Sequence, residues 1–344
     1  MAGSHLFFVG SYASENAASI CLWELQKSTG RLKKLNAQSG FLNPSYLAIN
    51  RKNLYAVSEG TDSGEVLAFR FDQEGRPLLL NRLSVMGKAP CHLAVNSGKN
   101  LLVAANYMSG DLSVFLLEED GGLKRLAGVF SQLLSAEERP ARDAHAHFVL
   151  FCDESDKLLA TDLGLDTVFV YRIDPRTGVL SELEQARASF PQGSGPRHLV
   201  SHPGKSDLFY VLCEQSSEIY TLEFGVRAKV LQCVSTVPQP TAVQNFAAAI
   251  RISLDGKFLY ASNRGFDSIA VYNIRTDGLL QLVDIIKLNG SWPRDFCLFD
   301  DFAVVAYQKS DRLEVFAIDS NTGLLHERNI TAEAVTPVCV CPVP

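Results

Sequence analysis

Arginine, glutamate and histidine recur in short segments that are spread widely along the chain. The segments are HAH at 145–147, PRH at 196–198, EQ at 214–215, NRG at 263–265 and PRD at 293–295. The planar guanidinium of arginine suits phosphate and carboxylate groups, because it gives two parallel hydrogen bonds. A carboxylate that lies among arginines stays ionised and can act as a general base on water. Brought together by a fold, these segments would form an anion-binding site able to activate a water molecule.

Several other catalytic patterns are missing from the sequence. It contains no GxSxG segment, no Ser-His-Asp order and no HExxH, and none of its eight cysteines forms a CxxC pair. His145 and His147 are two positions apart, so on a strand they share a face without requiring a metal. We therefore expect no metal site and no organic cofactor, and we assign the cysteines no function.

The elements that must position these residues are strands that repeat about every 49 residues. The pattern is clearest in seven segments: ASICLWEL at 18–25, GEVLAFRF at 64–71, GDLSVFLL at 110–117, DTVFVYRI at 166–173, SEIYTLEF at 217–224, DSIAVYNI at 267–274 and DRLEVFAI at 311–318. A repeat of this length that is built only from strands is typical of a β-propeller blade.

Two further apolar segments precede each repeat, as PRHLVS at 196–201 and LFYVLCEQ at 208–215 do in one unit. The C-terminal PVCVCP at 337–342 has no strand after it, and the N-terminal LFFVGSYA at 6–13 has none before it. Pairing these two segments completes a seventh unit and removes open sheet edges. The sequence thus predicts an all-β fold in which residues 1–344 form a single domain. That domain is a seven-bladed β-propeller with four antiparallel strands per blade, closed by pairing of the C-terminal strand with the N-terminal strands.

This fold also predicts where the site lies. The first two strands of a blade are antiparallel neighbours, so the start of the first lies beside the end of the second, at one mouth of the central channel. The polar residues at these strand ends are Tyr46, His92, His145, His147, Arg197, His198, Arg251, Arg294, Asp295, Tyr12, Glu59, Asn106, Tyr107, Asp162, Glu214, Gln215, Asn263, Arg264, Tyr307 and Gln308. The opposite strand ends carry mostly the Asp, Gly, Lys and Ser of solvated turns, which indicates that the first mouth is the functional one.

Composition excludes several classes of protein. With 47% hydrophobic and 20% charged residues, the chain has the make-up of a globular protein with ample core. A net charge of -6 without a basic stripe argues against a nucleic-acid partner, and no apolar window reaches the roughly 18 residues of a membrane span. The N-terminus lacks a signal-peptide pattern, and the cysteines lie mostly in apolar strands. We expect a cytoplasmic protein, a monomer or weak homodimer, whose partner is a small anionic substrate.

Several segments resemble the seven-bladed propeller lactonase family, which includes 6-phosphogluconolactonase and is related to the 3-carboxy-cis,cis-muconate lactonising enzyme. The segments are AHAH at 144–147, DLGLD at 162–166, GSGPRHLVSHP at 193–203, FLYASNRGFDSIAVY at 258–272, WPRDFCL at 292–298 and AYQKSD at 306–311. They recur in the family's order, and the resemblance covers the whole chain. It implies a lactone hydrolase, with 6-phospho-D-glucono-1,5-lactone, an intermediate of the pentose phosphate pathway, as the expected substrate.

The resemblance also implies site residues. The catalytic group is expected to comprise His147, Arg197, Glu214 and Arg264. Further substrate-binding residues are expected at the same mouth: His145, His198, Arg294, Gln308, Glu59 and Asn106. The chain departs from the family at Cys91 and Arg251, which we expect near the mouth, where they would alter which acid is accepted.

The expected roles follow from the residue types. Glu214 or His147 would take a proton from the attacking water, and Arg197 with Arg264 would stabilise the oxyanion. Arg294, together with His198, would hold the phosphate. Two alternatives stay open from the sequence: a muconate-type cyclase that uses the same arginines, and a non-catalytic propeller that binds a protein partner.

Overall fold

The computed structural model describes residues 3–96, 98–133, 143–152 and 156–344. Within these residues the strands form seven antiparallel sheets. Blade 1 comprises β4 Leu47–Asn50, β5 Asn53–Ser58, β6 Glu65–Phe71 and β7 Pro77–Ser84. Blade 2 comprises β8 Pro90–Asn96, β9 Leu101–Asn106, β10 Asp111–Leu117 and β11 Leu123–Ser131. Blade 3 comprises β12 Ala146–Phe151, β13 Lys157–Asp162, β14 Thr167–Ile173, β15 Leu180–Glu182 and β16 Ala188–Ser189.

The remaining four blades complete the ring. Blade 4 comprises β17 Pro196–His202, β18 Lys205–Cys213, β19 Glu218–Phe224 and β20 Ala228–Ser235, and blade 5 comprises β21 Phe246–Ile252, β22 Phe258–Arg264, β23 Ser268–Ile274 and β24 Leu280–Lys287. Blade 6 comprises β25 Pro293–Leu298, β26 Phe302–Tyr307, β27 Arg312–Ile318 and β28 Leu325–Glu333. Blade 7 comprises β29 Pro337–Pro342, β1 Ser4–Ser11, β2 Ile20–Gln26 and β3 Leu32–Gln38. The predicted all-β, seven-bladed propeller is confirmed, and we retain the prediction that residues 1–344 form one domain.

Blade 7 closes the ring as predicted. Strand β29 pairs with β1, so that Cys341 lies opposite Phe8 and Val340 lies opposite Val9. The order of this sheet is β29-β1-β2-β3, with one strand from the C-terminus and three from the N-terminus. The ends of the chain are therefore joined by strand hydrogen bonds, which leaves no open edge between blades 6 and 1.

Blade 3 departs from the four-strand pattern. Its outer strand is divided into β15 and β16, which both pair with β14 and are separated by a turn of 3-10 helix at Glu184–Ala186. The helical turn interrupts the run of extended residues that a single strand needs. This irregularity lies at the rim of the propeller, far along the sheet from the inner strand β12.

The core lies between neighbouring blades, because the middle strands bury both of their faces. Every residue of β9 (LLVAAN) is buried, whereas β11 buries only its first residue. Val103 and Leu112 of blade 2 belong to one cluster with Val149 and Phe169 of blade 3. Burying such a side chain contributes about 2 kcal/mol. Packing between blades thus holds the ring rigid around its axis.

A β-bulge at the start of the first strand matters most for the site. In blade 4, Pro196 pairs with Cys213 and His198 pairs with Leu212, so Arg197 is an extra residue without a partner. An extra residue of this kind re-aims a side chain and is common next to active sites. The same register shift occurs in other blades, where the extra residues are Cys91, His147, Arg294 and Val338.

In the part of the chain that the structure describes, no helix has the length and apolar character needed to cross a membrane.

Candidate active site

Two kinds of position supply the side chains of the mouth. One is the bulge residue of the first strand, in the blades that have a single one. The other is the last residue of the second strand or the residue directly after it. In chain order the second set is Tyr12, Glu59, Tyr107, Leu163, Glu214, Arg264 and Gln308. Because alternate residues of a strand point to opposite sides, the preceding residues turn away from the mouth.

Arg197, Glu214 and Arg264 form a buried ionic cluster. One oxygen of Glu214, Oε2, lies 2.9 Å from Nε of Arg197 and 2.7 Å from Nη2 of Arg264. Both arginines are at least nine-tenths buried, at 3% and 5% exposure. Two guanidiniums share one carboxylate, so the cluster carries one net positive charge. A buried excess of positive charge favours an anion, either in the substrate or in a transition state.

Backbone carbonyls fix the two guanidiniums further. Nε and Nη2 of Arg264 donate to the carbonyls of Phe246 and Ala247, each at 3.2 Å. Nη1 of Arg197 donates to the carbonyl of Ala248 in the same segment. Both side chains are thereby oriented before any ligand arrives, which reduces the reorganisation needed during a reaction.

The pKa of Glu214 reflects two opposing effects. Burial alone raises it, but the charges of Arg264 and Arg197 outweigh burial and bring the pKa below its ordinary value. The carboxyl group is therefore ionised at neutral pH. Burial also lowers the pKa of Arg264, to about 9, and Arg197 adds to that effect, while Glu214 opposes it. A low pKa makes Glu214 a weak base and a good counter-ion.

A second polar group surrounds Arg294. Its Nη2 donates to the hydroxyl of Tyr12 at 2.9 Å, and its Nη1 donates to Oε1 of Gln308 at 3.4 Å. The Tyr12 hydroxyl in turn donates to Glu59 at 3.1 Å, and the Ser45 hydroxyl donates to the other oxygen of Glu59. Burial raises the pKa of Glu59 although Ser45, Arg294 and Tyr12 lower it. Arg294, Gln308 and Glu59 are thus brought together as one network beside the cluster.

Three histidines lie in the channel next to the arginines. The ring of His198 is 5.4 Å from that of His147 and 5.9 Å from that of His92. Burial, followed by the nearby arginine charges, brings the pKa of each well below its ordinary value. All three rings are therefore neutral at pH 7.

The expectation that His198 helps to hold a phosphate is not supported by its contacts. Nη1 of Arg197 lies 2.9 Å from Nε2 of His198, and a guanidinium nitrogen can only donate. Nε2 must therefore accept, and the ring is neutral. Simple alternation along the strand would place His198 on the face away from Arg197. The bulge at Arg197 changes that alternation, and both side chains line the same cavity.

His145, another expected site residue, lies apart from the cluster. His145 precedes strand β12, and its ring stacks on Tyr107 with centroids 4.6 Å apart, while Nδ1 contacts the Tyr107 carbonyl at 2.9 Å. Only His147 belongs to the strand, and the rings of both histidines contact the ring of Tyr107. His147 is buried, with its ring 5.8 Å from the ring of Tyr107.

The side chain of Asn106 links two neighbouring strands by hydrogen bonds. It is fully buried, and its amide nitrogen donates to Asp111 and, at 2.8 Å, to Ser113 in the next strand. Asn263 has the same place in blade 5, where its amide joins Thr236, Asn245 and Ser268. The structure does not bring Asn106 to the arginine cluster. Its side chain points to the neighbouring strand β10, away from the mouth.

A small cavity below the cluster includes residues that the sequence argument did not select. It has room for about one water molecule, about 10 Å³. Its lining comprises Tyr12, Ser45, Tyr46, Cys91, Arg197, His198, Arg294, Asp295 and Val338. Five of these directly follow a proline, in PSY, PCH, PRH, PRD and PVC. That recurring Pro-X pair is the signal that would have identified Ser45 and Val338, and it supports the expected place of Cys91.

Arg251, which was expected near the mouth, pairs with an acidic side chain. Its Nη2 forms a 2.7 Å ion pair with Asp295, whose other oxygen accepts the backbone N–H of Val340 at 2.8 Å. Arg251 is thus neutralised inside the channel, and it does not line the cavity beside the cluster. Cys91 does line it, and burial strongly raises the pKa of its thiol. Across the described ranges, no three His, Cys, Asp or Glu side chains form a group suited to a metal ion.

Comparison with known proteins finds relatives that match nearly the whole chain. A family model described as "Lactonase, 7-bladed beta-propeller" matches residues 6–342. The chain is 32% identical to the 6-phosphogluconolactonase of Bacillus subtilis, over 98% of this chain and 97% of that protein.

Solved structures agree with the sequence comparison. The periplasmic gluconolactonase of Pseudomonas aeruginosa superposes with a TM-score of 0.92 at 28% identity, covering 99% of each chain. A protein from Lactobacillus plantarum superposes with a TM-score of 0.89 at 31% identity, covering 99% of this chain and 100% of that one. The similarity therefore extends over all seven blades.

Proposed function

Because the chain belongs to the seven-bladed β-propeller lactonase family, we propose that it hydrolyses a sugar-acid lactone, with 6-phospho-D-glucono-1,5-lactone as substrate and 6-phosphogluconate as product. The observation that carries the proposal is the pairing of Arg197 and Arg264 with the single carboxylate of Glu214. Lactone hydrolysis proceeds through an anionic tetrahedral intermediate, and this pair of guanidiniums is a preorganised site for such an anion.

In the proposed reaction, water attacks the lactone carbonyl carbon and loses a proton to a general base. The carbonyl oxygen becomes an oxyanion that accepts hydrogen bonds from Arg197 and Arg264. The intermediate then collapses, the bond from carbon to the ring oxygen breaks, and the base returns its proton to that oxygen. The products are a free carboxylate and a hydroxyl group.

Of the two candidate bases, the surroundings favour His147. Its ring is neutral at pH 7, and its buried Nδ1 has no hydrogen-bond partner among the described residues, so that nitrogen is open to a proton from the attacking water. Glu214 is held by two guanidiniums that lower its pKa, so it has little tendency to accept a proton. We assign Glu214 the task of holding Arg197 and Arg264 in place, and we keep its role as base as the alternative to be tested.

The remaining mouth residues are proposed to bind the substrate. Arg294 offers a cation tied to Gln308 and Tyr12, and it lines the cavity beside Arg197. We further propose that the enzyme works in the cytoplasm, in the oxidative pentose phosphate pathway. Buried free thiols at Cys213, Cys297 and Cys339 suit a reducing compartment.

The test is a direct assay of the purified protein. Wild-type enzyme should speed formation of 6-phosphogluconate from the lactone well above the rate without enzyme, as followed by coupled oxidation of the product. The double variant Arg197→Met, Arg264→Met should lose that rate while retaining the circular dichroism spectrum of a folded protein. A folded wild-type protein that leaves the rate of lactone hydrolysis unchanged would refute the proposal.

A further inference from the structure

Trp292 connects the arginine cluster to an exposed lysine at the mouth of the channel. The Arg264 guanidinium lies 5.7 Å from the centroid of the Trp292 ring. The Nζ atom of Lys309 lies 3.3 Å from the same centroid. The two cations are therefore within about 9 Å of each other, joined by one aromatic ring.

The surrounding structure fixes the position of Trp292. Its φ angle is 68°, in the left-handed region that a bulky side chain rarely adopts. The backbone N–H donates to the carboxylate of Asp267 at 2.8 Å, and the carbonyl accepts the N–H of Gln308 at 3.0 Å. Phe246 packs against the ring at 6.0 Å. The same left-handed angle recurs before the first-strand proline of other blades, at Asn43, Ala89 and Thr336, so it belongs to the blade geometry. The two hydrogen bonds and the contact with Phe246 fix where the Trp292 ring lies.

The charge of Lys309 is available to a ligand. The side chain is exposed, and among residues 3–96, 98–133, 143–152 and 156–344 no carboxylate forms an ion pair with it. The arginines of the cluster, in contrast, share the charge of Glu214, so part of their positive charge is already compensated. A second anionic group on a substrate would therefore find a free cation at Lys309, at the rim of the mouth.

The spacing fits a phosphorylated sugar lactone. From the carbonyl carbon to the phosphorus, the substrate spans five bonds of about 1.5 Å, or roughly 6 Å across. Hydrogen bonds at both ends extend that reach. A lactone whose carbonyl oxygen accepts from Arg264 can thus bring its phosphate to the ammonium group of Lys309. The cavity near Arg294, with room for about one water molecule, is too small for a phosphate group.

We propose that Lys309 is the residue that recognises the terminal phosphate, and that it distinguishes a phosphorylated lactone from its unphosphorylated counterpart. Trp292 positions both Lys309 and Arg264, so it links phosphate recognition to the reacting end of the substrate. This inference rests on the proposed lactonase function, and it assigns to Lys309 the task that the sequence argument gave to Arg294 and His198.

The chain offers a matched control in blade 5. Lys287 is also exposed, and its Nζ lies 4.0 Å from the centroid of the Phe266 ring. It additionally donates to the Phe266 carbonyl. No arginine in the described residues stacks on Phe266. Lys287 is thus a lysine over an aromatic ring without a connection to the cluster.

The experiment compares two substrates and two variants. Wild type, Lys309→Met and Lys287→Met are assayed with 6-phosphoglucono-1,5-lactone and with glucono-1,5-lactone. Because one charge-assisted contact is lost, Lys309→Met should raise KM for the phosphorylated lactone about tenfold and leave kcat/KM for the other lactone unchanged. Lys287→Met should change neither. Calorimetric binding of 6-phosphogluconate should weaken about tenfold in Lys309→Met alone, which is a readout without turnover.

The outcomes separate the two proposals. If wild type hydrolyses lactones but Lys309→Met leaves KM for the phosphorylated substrate and the affinity for 6-phosphogluconate unchanged, the role of Lys309 is wrong while the lactonase function stands. An equal loss on both lactones would likewise overturn it, since a phosphate contact cannot act on a substrate without phosphate. If wild type hydrolyses neither lactone, the proposed function is refuted and the inference with it.

Discussion

Glu214 and Arg264 lie in neighbouring blades, yet their side chains form a 2.7 Å ion pair at the axis of the propeller. The same carboxylate oxygen also holds Arg197 at 2.9 Å. Breaking a buried pair by removing one partner leaves an uncompensated charge. Substitutions in this cluster should therefore affect both the chemistry and the ionisation of the remaining groups.

Replacing Arg197 by alanine should lower kcat by about 100-fold or more, because one donor to the oxyanion is lost. The measurement is steady-state kinetics with the lactone, accompanied by thermal unfolding to establish that the variant is folded. Arg275→Ala is the control, since Arg275 is exposed and its one ion pair within the described part of the chain is with Asp277. A folded Arg197→Ala enzyme with a normal rate would remove Arg197 from the mechanism.

His147→Gln tests which residue is the base. Loss of a general base should lower kcat by about 100-fold or more. His202→Gln serves as the control, because His202 lies at the opposite end of strand β17 and accepts the N–H of Gly204. A nearly normal rate in His147→Gln, together with an inactive but folded Glu214→Gln, would assign the base to Glu214 instead.

Arg264→Met should change the pH profile as well as the rate. The Arg264 charge is the largest influence that lowers the pKa of Glu214, and burial opposes it. Without this charge the pKa rises, so protonation of Glu214 occurs at higher pH. The acid limb of kcat/KM should move to higher pH relative to wild type. An unshifted limb would show that ionised Glu214 is not needed for the residual activity.

The buried histidines should make stability fall in mild acid. In His92, His147 and His198 burial holds the pKa of the folded state well below 6.5, so below about pH 6.5 the unfolded chain binds more protons. Each should therefore remove about 1 kcal/mol of stability between pH 7 and pH 5.5. Urea unfolding at the two pH values measures the effect. His92→Gln should show a smaller pH dependence, and an equal one would contradict this account.

Asn106→Ala should reduce stability without reducing catalysis. Its buried amide joins Asp111 and Ser113, and losing these hydrogen bonds costs about 1–3 kcal/mol. The midpoint of urea unfolding should fall, while kcat and KM at 25 °C stay close to those of wild type. A selective rise in KM with unchanged stability would return Asn106 to the substrate-binding residues.

Much of the site was predictable because the repeat fixes which strand ends share a mouth. Glu214, Arg264 and Arg197 were placed together on that basis and lie in one cluster. The contacts of His198 and His145 could not be predicted from simple alternation along a strand. A bulge at Arg197 and a strand start at Ala146 change that alternation.

By itself, the sequence determined the seven-bladed ring, its closure through residues 337–342 and the polar character of one mouth. These features depend on the period of apolar strands, which is written in the residue order. The direction of each side chain at the mouth was decided only by the tertiary structure. A strand alternates every second residue, so one extra residue without a hydrogen-bonded partner reverses every direction beyond it. That register, and with it the convergence of Arg197 on Glu214, exists only between paired strands.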